Sequence, residues 1–347
     1  RQIPQHHKLA NLTVKTSNLC SEITLPTGID KDGRDRTAVC CLSSLNLEKY
    51  DEWKDDAMMI NDVMRFLDNV LTDFIERAPD QFADAKYSAA RERSVGLGVM
   101  GFHSYLQKHS IPLESVMSKV WNKKIFKHIQ EHVDQASKDL ADERGPCPDA
   151  AEYGFNERFS NKTAIAPTAS ISIICGGASP GVEPVAANSY THKTLSGSFN
   201  VRNRYLVELL EKHGKNNEDV WSGITTNQGS VSDLDFLTDH EKDVFKTAFE
   251  LDQKWIIELS GDRTPHISQA QSINLFLAAD VHKKELHKIH FDAWKKGLKS
   301  LYYCRSKSIQ RAENVNDEKS TDILANVYKQ KPTAAKDPEY EECLSCQ

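Results

Sequence analysis

Nothing in this sequence approaches the roughly 18 consecutive apolar residues that a membrane-spanning helix requires, which excludes a transmembrane protein of that kind. There is no surplus of positive charge either: 44 Lys and Arg stand against 50 Asp and Glu, for a net charge of −6. Without a basic stripe or a block of like charges, binding to the backbone of DNA or RNA is not expected. Glycine and proline are sparse, at 16 and 12 of 347 residues, so collagen-like and low-complexity chains are excluded. The opening RQIPQHHKLANL has neither an initiating Met nor the basic-then-apolar order of a secretory signal, and the expectation is a trimmed or split product. The 8 cysteines fall at uneven positions (20, 40, 41, 147, 175, 304, 343 and 346). In a chain of this length that pattern fits a reducing, cytoplasmic setting better than a disulfide framework.

What is present alternates between two periodicities. Residues 12–20 (LTVKTSNLC) and 36–42 (RTAVCCL) are rich in β-branched side chains and flank a polar turn, and they predict two strands. From Asn46 to Ala78 the apolar residues Met59, Val63, Phe66, Leu67, Val70, Leu71, Phe74 and Ile75 recur at helical spacing until Pro79. A second amphipathic helix is predicted over 113–144, ending at Gly145-Pro146. Between them RSVGLGVMGF reads as a strand running into a helix start. Further helices are expected over 203–213, 239–259 and 279–300, with strands over 272–277 and 301–304. The alternation predicts an α/β fold with a mostly parallel sheet. Beyond Arg305 the chain turns polar and a flexible tail is expected, so the organisation is an α/β domain over 1–304 and a tail over 305–347.

Four features carry chemistry. The tail holds Cys343-Leu344-Ser345-Cys346, whose spacing suits a dithiol or half of a zinc site. No second close pair completes a zinc ribbon, because adjacent Cys40 and Cys41 in a strand point to opposite faces. On a coil of roughly 30 residues the dithiol has a reach of about 30 Å. Next, Asn18-Leu19-Cys20-Ser21-Glu22 ends a strand; at period two an amide, a thiol and a carboxylate share a face, although a buried strand-end cysteine reads the same way. The pair Tyr302-Tyr303 reads either as core packing or as a functional pair. Pro167-Thr168-Ala169-Ser170-Ile171 combines hydroxyls with a turn, which suits a phosphate cradle.

Taken together and in order, these segments closely resemble the large, catalytic subunit of class I ribonucleoside-diphosphate reductase. NLCSEITLPTG, AVCCLSSLNL, RSVGLGVMGF, RGPCP, APTASIS, VEPVAANSYTHKTLSGSF, LYYCRS and the terminal CLSC all fall in register, and they correspond to the C-terminal half of that subunit. The resemblance implies part of a ten-stranded α/β barrel and thiyl-radical chemistry that reduces ribonucleoside diphosphates to deoxyribonucleoside diphosphates. Cys20 would carry the radical that takes hydrogen from C3′ of the ribose, and Glu22 would be the base on the 3′-hydroxyl. Asn18 would hold the ribose hydroxyls. Cys40 would supply reducing electrons with a second cysteine, and Tyr302 and Tyr303 would pass the radical from a small subunit. Cys343 and Cys346 would re-reduce the site and then receive electrons from thioredoxin or glutaredoxin. Substrate would rest on residues 18–22 and on Pro167 to Ile171.

The match is incomplete at its start. The second reducing cysteine and the allosteric specificity site of the family belong to an N-terminal portion, so this chain is expected to be part of a split subunit that works only with that portion and a radical-bearing small subunit. The radical's metal would sit on the small subunit, with no metal or cofactor bound by this chain. Two alternatives stay open: a non-catalytic zinc-binding or scaffolding module, and the cobalamin-dependent relatives, against which the adjacent tyrosines argue.

Overall fold

A strand whose two faces meet different surroundings organises the fold. The computed structural model describes residues 3–194 and 197–306. After a two-residue antiparallel ladder of β1 (Gly28–Ile29) with β2 (Asp35–Arg36), β3 (Cys41–Asn46) pairs in parallel with β4 (Val95–Met100), Cys41 opposite Val95 and Asn46 opposite Met100. The pairing continues through parallel bridges, Leu97 to Thr163 and Ile165 to Gln271. Beyond these, β7 (Leu275–Leu277) pairs in parallel with β8 (Cys304–Ser306). The result is a row of five adjacent parallel segments: 41–46, 95–100, 163–165, 269–277 and 302–306. This is part of an α/β barrel, as the sequence led us to expect.

In β4 the valines and leucine (Val95, Leu97, Val99) face the helices, in one apolar core with Leu67 and Leu71 of the helix Met59–Arg77 and Ile125, Ile129 and Val133 of the helix Val116–Arg144. Each such side chain stabilises the fold by about 1.5–3 kcal/mol on burial. Gly96 and Gly98 alternate onto the other face. A Cβ on Gly98 would lie 2.4 Å from the Ala164 carbonyl oxygen, so the inner face is bare because the next strand passes too closely for a side chain. Against that face pack Ile23, Leu25 and Ala164, with Cys40 beside them.

The long helix starts at Ser115, whose hydroxyl accepts from the Ser118 N–H at 3.1 Å, and stops at Gly145, where φ is +84°. A separate apolar cluster built on Leu206, Leu210, Trp221 and Phe245 consolidates the helices after the antiparallel hairpin of β5 (Ser189–Thr194) and β6 (Gly197–Arg202). No helix among the described residues is long and apolar enough to cross a membrane.

Several boundaries differ from the sequence reading. Residues 12–20 form no strand: they run as irregular chain into a turn, because no neighbouring strand offers them a ladder. The strand expected over 36–42 lies at 41–46. The helix expected from Asn46 begins as a short turn over Leu47–Lys49, continues as Tyr50–Trp53 and resumes at Met59. The single helix expected over 239–259 is two, Asp239–Val244 and Gln253–Arg263. The helix Ala83–Glu92 and the β5–β6 hairpin were not anticipated as elements. Cys343 and Cys346 lie outside the described residues.

Candidate active site

Cys20, Glu22 and Asn18 converge, but through a turn rather than through the alternation of a strand. Ser21 N–H bonds the Asn18 carbonyl at 3.1 Å, and Ser21 adopts a left-handed backbone, φ +67°. Such a conformation in a residue other than glycine is held by its surroundings. Here the Ser21 hydroxyl donates to the Leu301 carbonyl at 3.2 Å, and the Ser300 hydroxyl donates to the Ser21 carbonyl at 2.8 Å. The turn is thus clamped by the segment that leads into Tyr302.

Glu22 is buried, at 2% exposure, and accepts from Asn18 Nδ2 at 2.9 Å and from the Ser272 hydroxyl at 3.0 Å. That hydroxyl also donates to the Cys20 carbonyl, so one serine ties the thiol and carboxylate residues together. Asn18 Oδ1 accepts from the Ile23 N–H at 3.0 Å, which fixes the amide at both ends. Leu19 is exposed.

The Cys20 thiol donates to the Tyr302 hydroxyl across 3.4 Å. The rings of Tyr302 and Tyr303 lie 4.0 Å apart between centroids. Burial and the contacts with Cys20 and Tyr303 push the Tyr302 phenol above its ordinary pKa, which keeps it protonated at neutral pH. A thiol, a phenol and a second phenol therefore stand in line, joining residues 282 positions apart.

Cys40 sits on the inner face. Gln269 Nε2 donates to its sulfur at 3.3 Å, and a Cβ on Gly96 would come within 3.2 Å of it. Burial pushes its thiol up to about 12, with the Gln269 amide opposing the rise. Cys41 turns to the helix side of the strand and packs against the main core. Sequence reasoning separated the two correctly.

The segment Pro167 to Ile171 leaves the carboxyl end of the strand 163–165, the edge at which parallel α/β folds place ligands. Thr168 has a positive φ of +56°, and its hydroxyl accepts from the Gly181 N–H at 2.7 Å, closing the loop. Ser170 and Ile171 are exposed and Ala169 half-buried. This loop and the Cys20 turn are linked by the backbone: Ile165 N–H bonds the Ala270 carbonyl at 3.1 Å, and Ala270 N–H bonds the Glu22 carbonyl at 2.8 Å. Gln269 and Ser272, which hold Cys40 and Glu22, were not singled out from the sequence; both sit in an unremarkable polar run, QAQSIN.

The fold and the site together are a run of parallel α/β segments on which a thiol, a carboxylate and paired phenols are gathered. The chain belongs to the ribonucleotide reductase family: the family's barrel-domain model matches residues 2–157 and 148–304. It is 51% identical over 301 residues to the ribonucleoside-diphosphate reductase large subunit of Invertebrate iridescent virus 6, covering 86% of this chain and 31% of that protein. Against the large subunit of Invertebrate iridescent virus 3 the identity is 45%, over 92% of this chain and 50% of that one. Among solved structures, the Actinobacillus ureae class Id ribonucleotide reductase alpha subunit superposes with a TM-score of 0.81 at 39% identity, covering 88% of this chain and 56% of that chain. This chain thus spans between about a third and somewhat over half of these relatives.

Proposed function

We propose that this chain is the C-terminal part of the catalytic subunit of a class I ribonucleoside-diphosphate reductase, acting with an N-terminal portion of that subunit and a small subunit that bears the radical. The observation that carries the reading is the Cys20–Tyr302–Tyr303 line. An oxidised phenol at Tyr302 takes a hydrogen atom from the adjoining thiol: the S–H bond breaks, the O–H bond forms, and the radical rests on sulfur. The thiyl then removes hydrogen from C3′ of the ribose. Glu22, held by Asn18 and Ser272, accepts the 3′-hydroxyl proton while the 2′-hydroxyl takes a proton from the reducing thiol pair and departs as water. Cys40 and a partner cysteine of the N-terminal portion supply two electrons and the hydrogen that C2′ gains as they form a disulfide, and Cys20 then returns its hydrogen to C3′, which restores the thiyl. Cys343 and Cys346 reduce that disulfide and are reduced in turn by thioredoxin or glutaredoxin. Pro167, Thr168, Ala169, Ser170 and Ile171 receive the substrate phosphates. In this reading residues 1–304 are barrel and 305–347 a tail bearing the dithiol, the chain holds no metal, and the setting is cytoplasmic.

The test is reduction of CDP to dCDP by this chain mixed with the N-terminal portion, a small subunit and a dithiol. Activity is expected only in the full mixture. Tyr302→Phe and Cys20→Ser are each expected to abolish it while CDP binding persists. Turnover retained by Tyr302→Phe would remove the relay from the mechanism.

A further inference from the structure

Both polar atoms of the Gln269 side chain are engaged, and one of their partners is a reacting atom. Gln269 is 2% exposed, and its own N–H bonds the Thr163 carbonyl at 3.0 Å, which fixes its backbone against the next parallel segment. Its Oε1 accepts from the Thr24 N–H at 3.1 Å, while Nε2 donates to the Val95 carbonyl at 3.1 Å and to the Cys40 sulfur at 3.3 Å. The orientation of the amide follows from these partners. Turned over, it would set an NH₂ group against the Thr24 N–H and an oxygen against the Val95 carbonyl. With one hydrogen of Nε2 on Val95, the second is directed at sulfur. Three segments thus meet on this side chain: the stretch that carries Glu22, strand β4 and the residue that precedes β3.

A neutral thiol sulfur is a weak acceptor, and among Ile23, Leu25 and Ala164 a donor aimed at it adds little. The same donor makes a charge-assisted hydrogen bond once the sulfur carries negative charge. Burial disfavours that charge, and so do the other ionisable groups that act on Cys40, namely Cys41, Glu92 and Glu22; among the described residues the Gln269 amide is the contact that favours it. We propose that Gln269 is a catalytic residue of the reducing step, its Nε2–H stabilising the charge that gathers on the Cys40 sulfur as the thiol pair is oxidised. In that step two S–H bonds break and one S–S bond forms, and the two protons and two electrons pass to the substrate as water leaves and C2′ gains hydrogen. The amide keeps both of its hydrogens throughout. This inference rests on the reductase reading. It goes beyond it by assigning a part in the electron supply to a side chain that gives up neither proton nor electron.

Two measurements test it. Iodoacetamide reacts with the thiolate, and peptide mass mapping of the full chain separates Cys40 from the other cysteines. Gln269→Leu removes the donor, and alkylation of Cys40 between pH 8 and 9 is expected to slow about tenfold. A merely structural role predicts the reverse, because a loosened core exposes the thiol and speeds its reaction. In the complete mixture the same variant is expected to lower kcat about tenfold with KM for CDP unchanged. Alkylation of Cys40 in Gln269→Leu at or above the parental rate would overturn the proposal, and so would a parental kcat. If Gln269→Leu gives no cooperative melt, Gln269→Glu takes its place, since it keeps an oxygen for the Thr24 N–H and sets a second oxygen where Nε2 stands. Slower alkylation of Cys40 in that variant supports the proposal, and equal or faster alkylation overturns it. A complete parental mixture that reduces no CDP would overturn the reductase reading, and with it the catalytic part given to Gln269, while leaving the difference in alkylation in place, so the two failures are told apart.

Discussion

Two cysteines of the site are prepared for different work by their neighbours. Cys20 donates its proton toward a phenol, whereas Cys40 receives a hydrogen bond from Gln269 in a place where burial still raises its pKa to about 12. Below that value the thiol keeps its proton, so at pH 8 the thiolate is about one part in ten thousand. Cys40 is therefore expected to resist iodoacetamide at pH 8 while the exposed Cys175 and Cys304 are alkylated first, as read by peptide mass mapping. Alkylation of Cys40 at the same rate would mean that Gln269 and the strand do not shield it. At this scale the sequence showed the candidate groups but not their supports. Cys20, Glu22 and the tyrosines stood out because the whole series of motifs kept its register. Ser272 and Gln269 did not, because a serine or glutamine in a polar run gains meaning only from what folds against it.

Among the elements, β4 shows how composition and packing constrain each other. Its leucine and valines were read correctly as a strand, yet the alternating glycines carry the larger geometric information. Gly98→Ala forces a methyl against a carbonyl oxygen 2.4 Å away and is expected to cost on the order of 2–3 kcal/mol in urea denaturation. Gly223→Ala, in the helix Glu218–Thr226 with nothing within 4 Å, is expected to be neutral or to stabilise by up to about 1 kcal/mol. Equal effects in the two variants would deny that the inner face is sterically closed. The long helices were legible because 3.6-residue periodicity persists over many turns. The irregular segment 12–20 misled because β-branched residues describe a preference for extended backbone, while a strand also needs a partner. The interruption after Val244 was hidden because the apolar spacing runs on across it.

For the whole molecule, the row of parallel segments ends in β3 on one side and β8 on the other, neither with a further ladder partner among the described residues. Open edges of a parallel sheet attract other strands. Added N-terminal portion is accordingly expected to slow amide hydrogen exchange in β3 and β8 by at least about tenfold, the change expected for closing local opening by roughly 1.4 kcal/mol, with β4 little altered. Unchanged exchange at both edges would argue that the barrel is completed in another way. That these five segments form one row was legible only in part, since 163–165 joins its neighbours through single bridges and not through a ladder.

The separation between Cys20 and Tyr302 also bears on the order in which the protein is made. The thiol leaves the ribosome first, and the phenol it faces is 282 residues behind it. Until the last parallel segment docks, Ser21 lacks the carbonyl of residue 301 and the hydroxyl of residue 300 that hold its turn, and the thiol lacks the phenol it faces. A growing or incomplete polypeptide therefore contains every residue of the early cluster without the tyrosine pair that completes it. Under the proposed function, competence for radical chemistry arrives with the docking of the last parallel segment, and partial synthesis yields an inert product and not a damaging one.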